Sequence, residues 1–99
     1  MAEVVFRQRA WRDLDRIDTR IATDDPGAAQ RFRADVLRRI GLLERVPESA
    51  QPRPKFGPDI RTIPIGRYIV ILRVALPKVI VLRIVHGARD LPRLFKRSP

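Results

Sequence analysis

The sequence predicts an α+β fold: an N-terminal strand, an antiparallel helical hairpin, then a small, mainly antiparallel β-sheet with the hairpin packed on one of its faces (β-α-α-β-β-β). Two segments repeat apolar residues at three- and four-residue spacing. Later segments are short, β-branched and bounded by turn residues, and a proline-rich stretch separates the two kinds of pattern. A chain of 99 residues is expected to form a single domain, residues 1–99, with one layer of helices on one sheet.

Glu3-Val4-Val5-Phe6 reads as a short first strand. From Ala10 the period changes: Trp11, Leu14, Ile17 and Ile21 form one stripe, with Arg12, Asp13, Asp15, Arg16 and Arg20 between them. This is an amphipathic helix, with Trp11 as a packing anchor at its start. Asp24-Asp25-Pro26 is a helix start, one aspartate capping and Pro26 fitting the first helical position. The second helix is expected to run to about Glu44, with Ala29, Phe32, Val36, Ile40 and Leu43 on one face and Leu37 widening it. The short Thr23-Asp24 connection makes the two helices an antiparallel hairpin.

Pro47 to Pro58 holds four prolines and Gly57 and is expected to be a loop carrying Arg53 and Lys55. Strands are expected over about Ile60–Ile65, Arg67–Ala75 and Val79–His86, with Pro64 marking an edge or a bulge. If the last turn is Leu76-Pro77-Lys78, Ala75 pairs with Val79. Tyr68, Val70, Leu72 and Val74 then share a helix-facing side with Ile80, Leu82, Ile84 and His86. The opposite face would present Ile69, Ile71, Val81 and Val85 with Arg67, Arg73 and Arg83. Exposed apolar strips flanked by arginines mark a binding surface. The end, residues 91–99, reads as a basic tail.

Lys+Arg 21 against Asp+Glu 11 gives a formal charge of +10, and only Lys55, Lys78 and Lys96 are lysines. Such a balance implies an acidic partner, and arginine suits bidentate contact with carboxylate or phosphate. The chain has no cysteine and one histidine, which excludes disulfides, Cys-ligated metals and multi-His metal sites; no cofactor is expected. Met1 to Ile17 is broken by charge every few residues, unlike a signal peptide. No apolar run approaches the roughly 20 residues of a membrane span. No membrane partner and a cytoplasmic location are the expectation.

The most informative motif is Val85-His86-Gly87-Ala88-Arg89-Asp90, where a hydrophobic strand breaks at a glycine turn bearing a histidine, an arginine and an aspartate. With it stand Asp25-Pro26-Gly27-Ala28-Ala29, Pro52-Arg53-Pro54, Ile60-Arg61-Thr62-Ile63-Pro64-Ile65, Gly66-Arg67-Tyr68-Ile69-Val70 and Val81-Leu82-Arg83-Ile84. In this order and spacing they resemble the RelE/ParE toxin superfamily over nearly the whole chain, nearer the ParE branch. The resemblance implies a RelE/ParE-like fold, a bacterial origin and one half of a type II toxin–antitoxin pair. It also implies an acidic antitoxin whose tail wraps the toxin in a hetero-oligomer.

The branches differ in chemistry. RelE-like members cut messenger RNA on the ribosome and place an arginine directly after the sheet tyrosine, where this chain has Ile69 after Tyr68. They also tend to carry a tyrosine near the C-terminus, where this chain offers Phe95. Lys55 is a lone lysine in the loop that supplies basic residues to nucleases. ParE-like members lack those residues and act by binding DNA gyrase. The reading is therefore a binding toxin without catalytic residues. Its antitoxin- or target-binding candidates are Arg61, Arg67, Ile69, Ile71, Arg73, Arg83, Arg93, Lys96 and Arg97. His86, Arg89 and Asp90 are expected to fix the turn after the last strand. The alternative is a ribosome-dependent messenger-RNA endoribonuclease using Arg61, Arg83 and Arg89. A third reading, a plain basic nucleic-acid-binding module, lacks aromatic platforms, since Tyr68 is the only tyrosine and the phenylalanines are scattered.

Overall fold

A computed structural model describes the backbone of residues 1–94 and the side chains of residues 1–90. Its order is β1 (Glu3–Phe6), α1 (Gln8–Asp24), α2 (Pro26–Leu42), a proline-rich segment containing β2 (Gln51–Pro52), β3 (Ile60–Ile65), β4 (Tyr68–Ala75), β5 (Lys78–His86) and α3 (Gly87–Leu94). The sheet order is β1-β5-β4-β3-β2; β1 runs parallel to β5 and the other pairings are antiparallel. The α+β arrangement expected from the sequence is present. The place of the first strand, which periodicity leaves open, is the sheet edge beside the last one.

The hairpin forms where the caps dictate. Asp25 ends α1 and starts α2: its Oδ1 accepts the Ala28 N–H at 3.1 Å, and Pro26 occupies the first turn. Ala10, Leu14 and Ile17 of α1 and Val36 and Ile40 of α2 meet Val70, Leu72, Val79, Val81 and Ile84 of the sheet in the main core. Burying each larger aliphatic side chain contributes about 1.5–3 kcal/mol. Trp11 stacks on Phe6, ring centroids 4.1 Å apart, and anchors the helix start while staying partly exposed.

The register of β4 and β5 corrects the expectation in one half. The turn is Leu76-Pro77, with Ala75 opposite Lys78, not Val79. From Tyr68↔His86 to Ile71↔Arg83 the pairing is the expected one; between Ile71 and Leu72 it shifts by one residue. That bulge inserts an extra residue in β5 and reverses the faces below it. Val79 and Val81 therefore enter the main core, while Leu82 packs on the other side with Ile60, Ile71 and Val85. A two-residue turn without a bulge would have turned the apolar set outward.

The second sheet face is consequently not the bare apolar strip expected. Ile60, Ile71 and Val85 form a small second core there, with Phe56, Ile69 and Leu82 packed against it. Phe56 comes from the proline-rich segment, which folds over this side. Arg53 of that segment donates from Nε to Thr62 Oγ1 at 3.0 Å. Pro64 lies where β3 has run past the two-residue β2, so it costs no ladder bond on that side. Gly66 has φ +59 and no other residue of the Gly66-Arg67 turn has positive φ, the signature of a type II′ hairpin.

Candidate functional site

β5 outruns β1, whose pairing stops at Phe6↔Val81. Beyond it the edge donors of β5 need other partners, and two aspartates supply them. Asp13 of α1 accepts the Ile84 N–H at 3.0 Å, and Asp90 of α3 accepts the His86 N–H at 3.1 Å. Asp13 is 2% exposed; it also takes Arg83 Nε at 2.7 Å and Nη2 at 3.2 Å, and Arg16 Nη2 at 2.9 Å. A buried carboxylate so surrounded is stable because each acceptor position is filled.

Immediately after this edge the strand turns into α3. His86 Nδ1 accepts the Arg89 N–H at 3.2 Å and so caps the helix start, while Asp90 reaches back to the His86 amide. Arg89 Nε lies 3.5 Å from Asp90 Oδ1. The His86 ring stands edge-on to Tyr68, directly across the ladder, at 5.5 Å, and Tyr68 meets Phe32 of α2 at 5.2 Å. His86 is thus on the helix-facing side, as the register predicted. The expected glycine turn is the first turn of a helix. Gly87 permits close approach: its N–H donates to the Arg67 carbonyl at 2.9 Å, and a Cβ there would meet Ile69 Cδ1 at 2.8 Å.

Two recesses flank this junction. A shallow cleft of about 570 Å³ is lined by Pro64, Gly66, Arg67, Ile69, His86, Gly87 and Ala88. A recess of about 60 Å³ on the helix side is lined by Arg16, Arg20, Tyr68, His86, Arg89 and Asp90, among others. Cations and apolar walls suit anionic or acidic-peptide ligands. No cluster of metal-ligating side chains occurs among the described residues, and no described helix is long and apolar enough to cross a membrane.

The structure separates the sequence candidates. Arg67, expected in a strand, sits exposed in the β3–β4 turn, and Ile69 forms the cleft wall above it. Arg73 is exposed on the second face beside Ile60 and Ile80. Ile71, expected on an open face, is 2% exposed. Arg83, expected as a free charge there, is bound to Asp13 and its side chain is 19% exposed. Arg61 falls on the opposite face, where its guanidinium donates to the carbonyls of Ala50 at 2.8 Å and Glu48 at 3.4 Å and holds the proline-rich segment. The side chain of Arg93, and Lys96 and Arg97 altogether, lie outside the described residues.

Sequence reading missed Asp13, which it placed among the solvated residues between the apolar ones. The signal was present, since Ala10, Asp13 and Ile17 follow one another by three and four residues, on the buried face.

Residues 4–91 match the sequence model of the ParE toxin of type II toxin–antitoxin system, parDE. Among solved structures, one described as the chromosomal ParDE toxin–antitoxin system from P. aeruginosa is similar in fold, with a TM-score of 0.74 and 24% identity; the alignment covers 87% of this chain and 96% of that one. A chain of the toxin–antitoxin complex RelBE2 from Mycobacterium tuberculosis gives a TM-score of 0.57 at 25% identity, over 86% of this chain and 90% of that one. No curated protein matches the chain. With the family pattern spanning β1 to the start of α3, this chain belongs to the ParE family, the toxins of type II toxin–antitoxin systems.

Proposed function

We propose that the protein acts in the cytoplasm by binding DNA gyrase, blocking or trapping it on DNA, and is neutralised by the tail of a cognate acidic antitoxin. The observation that carries this reading is the side chain of Ile69. It forms the apolar wall of the cleft beside Gly87, at the position where messenger-RNA-cleaving relatives resemble one another in carrying an arginine. An apolar wall with Arg67 at its rim and Arg73 farther along the sheet suits protein contact. Phosphate chemistry needs cations converging on one developing charge. The three arginines of the nuclease alternative are engaged separately: Arg61 on loop carbonyls, Arg83 on Asp13 and Arg89 on Asp90.

The test is a supercoiling assay with purified gyrase, ATP and relaxed plasmid, titrating the folded toxin with and without its antitoxin. Loss of supercoiling or accumulation of cleaved plasmid, reversed by antitoxin, is the expected result. Full supercoiling in the presence of folded toxin that still binds antitoxin would overturn it. Messenger-RNA cleavage in a purified translation system would then identify the ribosome as the target.

A further inference from the structure

We propose that α1 carries a docking ridge for the phosphate backbone of double-stranded DNA. Arg9, Arg12, Arg16 and Arg20 follow one another by three, four and four residues and are all exposed. At 100° per residue they fall within one narrow arc of the helix, and from Arg9 to Arg20 the ridge is about 16 Å long. Arg9, Arg12 and Arg20 form no ion pair or side-chain hydrogen bond with the described residues. Asp13, at the border between the ridge and the buried face, is itself buried and already shared between Arg83 and Arg16. Asp15 and Asp18, farther round the helix, face Arg33 of α2. Arginines four apart repel and weaken a helix, so this row gains most from an external anion. Its far end borders the small recess lined by Arg16, Arg20 and Arg89 together with Asp90.

The occupant follows from what the ridge lacks. A protein segment that orders on binding must bury apolar surface, and this arc offers none. Single strands need aromatic platforms, but Trp11 points away from the ridge and is stacked on Phe6. Duplex DNA needs only cations in a row, presenting one charge per roughly 1.7 Å of its axis. Duplex binding by this ridge is independent of gyrase as the target, and it is measured without gyrase.

The experiment measures binding of the full chain to a fluorescein-labelled 30-base-pair duplex DNA by anisotropy across a salt series, with single-stranded DNA and duplex RNA of equal length as comparators. The ridge variant is Arg9→Gln/Arg12→Gln/Arg20→Gln. The control, Arg45→Gln/Lys55→Gln/Lys78→Gln, removes the same charge from exposed positions elsewhere. The ridge variant should weaken duplex binding about tenfold or more at 0.1 M salt and flatten the log–log salt slope by about 2–3, close to 0.9 per lost phosphate contact. The control should change the slope by less than half as much. Equal effects of the two variants, absence of duplex binding, or tighter binding of single-stranded DNA or duplex RNA would each overturn the proposal. Should the triple variant lose its circular-dichroism signal, Arg9→Gln/Arg12→Gln and Arg12→Gln/Arg20→Gln give the same reading with about two contacts removed.

Discussion

Asp13 joins three things that the sequence keeps apart: the first helix, the unpaired edge of β5 and the guanidinium of Arg83. Replacing it by alanine leaves the half-buried Arg83 without its counter-charge and orphans the Ile84 N–H. Breaking one side of such a pair costs about 3–5 kcal/mol. Urea denaturation of Asp13→Ala should show a loss of that order, and a loss under about 1 kcal/mol would mean that Arg83 finds water instead. Asp13→Leu/Arg83→Met should recover part of it, because an apolar pair carries no buried charge, yet the Ile84 amide stays unsatisfied at about 1–3 kcal/mol. The contact between Gly87 and Ile69 is testable in the same way. A Cβ at 87 would press on Ile69 Cδ1, so Gly87→Ala should destabilise by about 1 kcal/mol. Adding Ile69→Val, which removes that methyl, should restore most of it; equal losses in the single and double variants would place the strain elsewhere.

Among the elements, the start of α2 was legible because local chemistry decides it, whereas α3 was not, its cap being His86 at the end of a strand. Asp25 with Pro26 defines α2 whatever the tertiary context, and Asp25→Ala should cost about 1 kcal/mol in thermal or urea unfolding. No measurable change would indicate that Pro26 alone fixes the helix start. The strands were legible as segments, and Pro64 was legible as an edge position. The β4–β5 register was legible only in part, for a physical reason. A three-residue turn and a two-residue turn followed by one bulged residue consume the same length of chain. Both bring Ile71 opposite Arg83 and Tyr68 opposite His86, and they differ only near the turn. Side-chain parity therefore placed the Tyr68–His86 end of the hairpin correctly while misplacing Ile80, Val81 and Leu82. The partners of Arg61 and Arg83 were hidden for a different reason: each depends on a residue distant in sequence, Ala50 in the folded-over loop and Asp13 on α1. Alternation along a strand gives the side a residue leaves from, not where a long flexible side chain ends.

At the scale of the molecule, the net charge of +10 is unevenly free. Asp13, Asp15, Asp18 and Asp35 are engaged with arginines of the two long helices or with Arg83, and Asp90 closes the edge near α3. Arg67 and Arg73 stay exposed without an ion pair among the described residues, at the cleft rim and along the second face. An acidic antitoxin approaching that side should be drawn in by these two, and reversing them should act on the association rate more than on dissociation. Arg67→Glu/Arg73→Glu is therefore expected to slow association with the antitoxin by about tenfold at low salt, with the difference shrinking as screening shortens the Debye length to about 8 Å at 0.15 M. Arg83 is unsuitable for this test, because a glutamate there would confront Asp13 and unfold the edge it holds. Stopped-flow association at several salt concentrations separates the cases. A rate unchanged at low salt would remove this face from the antitoxin pathway. A salt-independent loss would mean that the two residues make desolvated contacts in the complex instead of steering its approach.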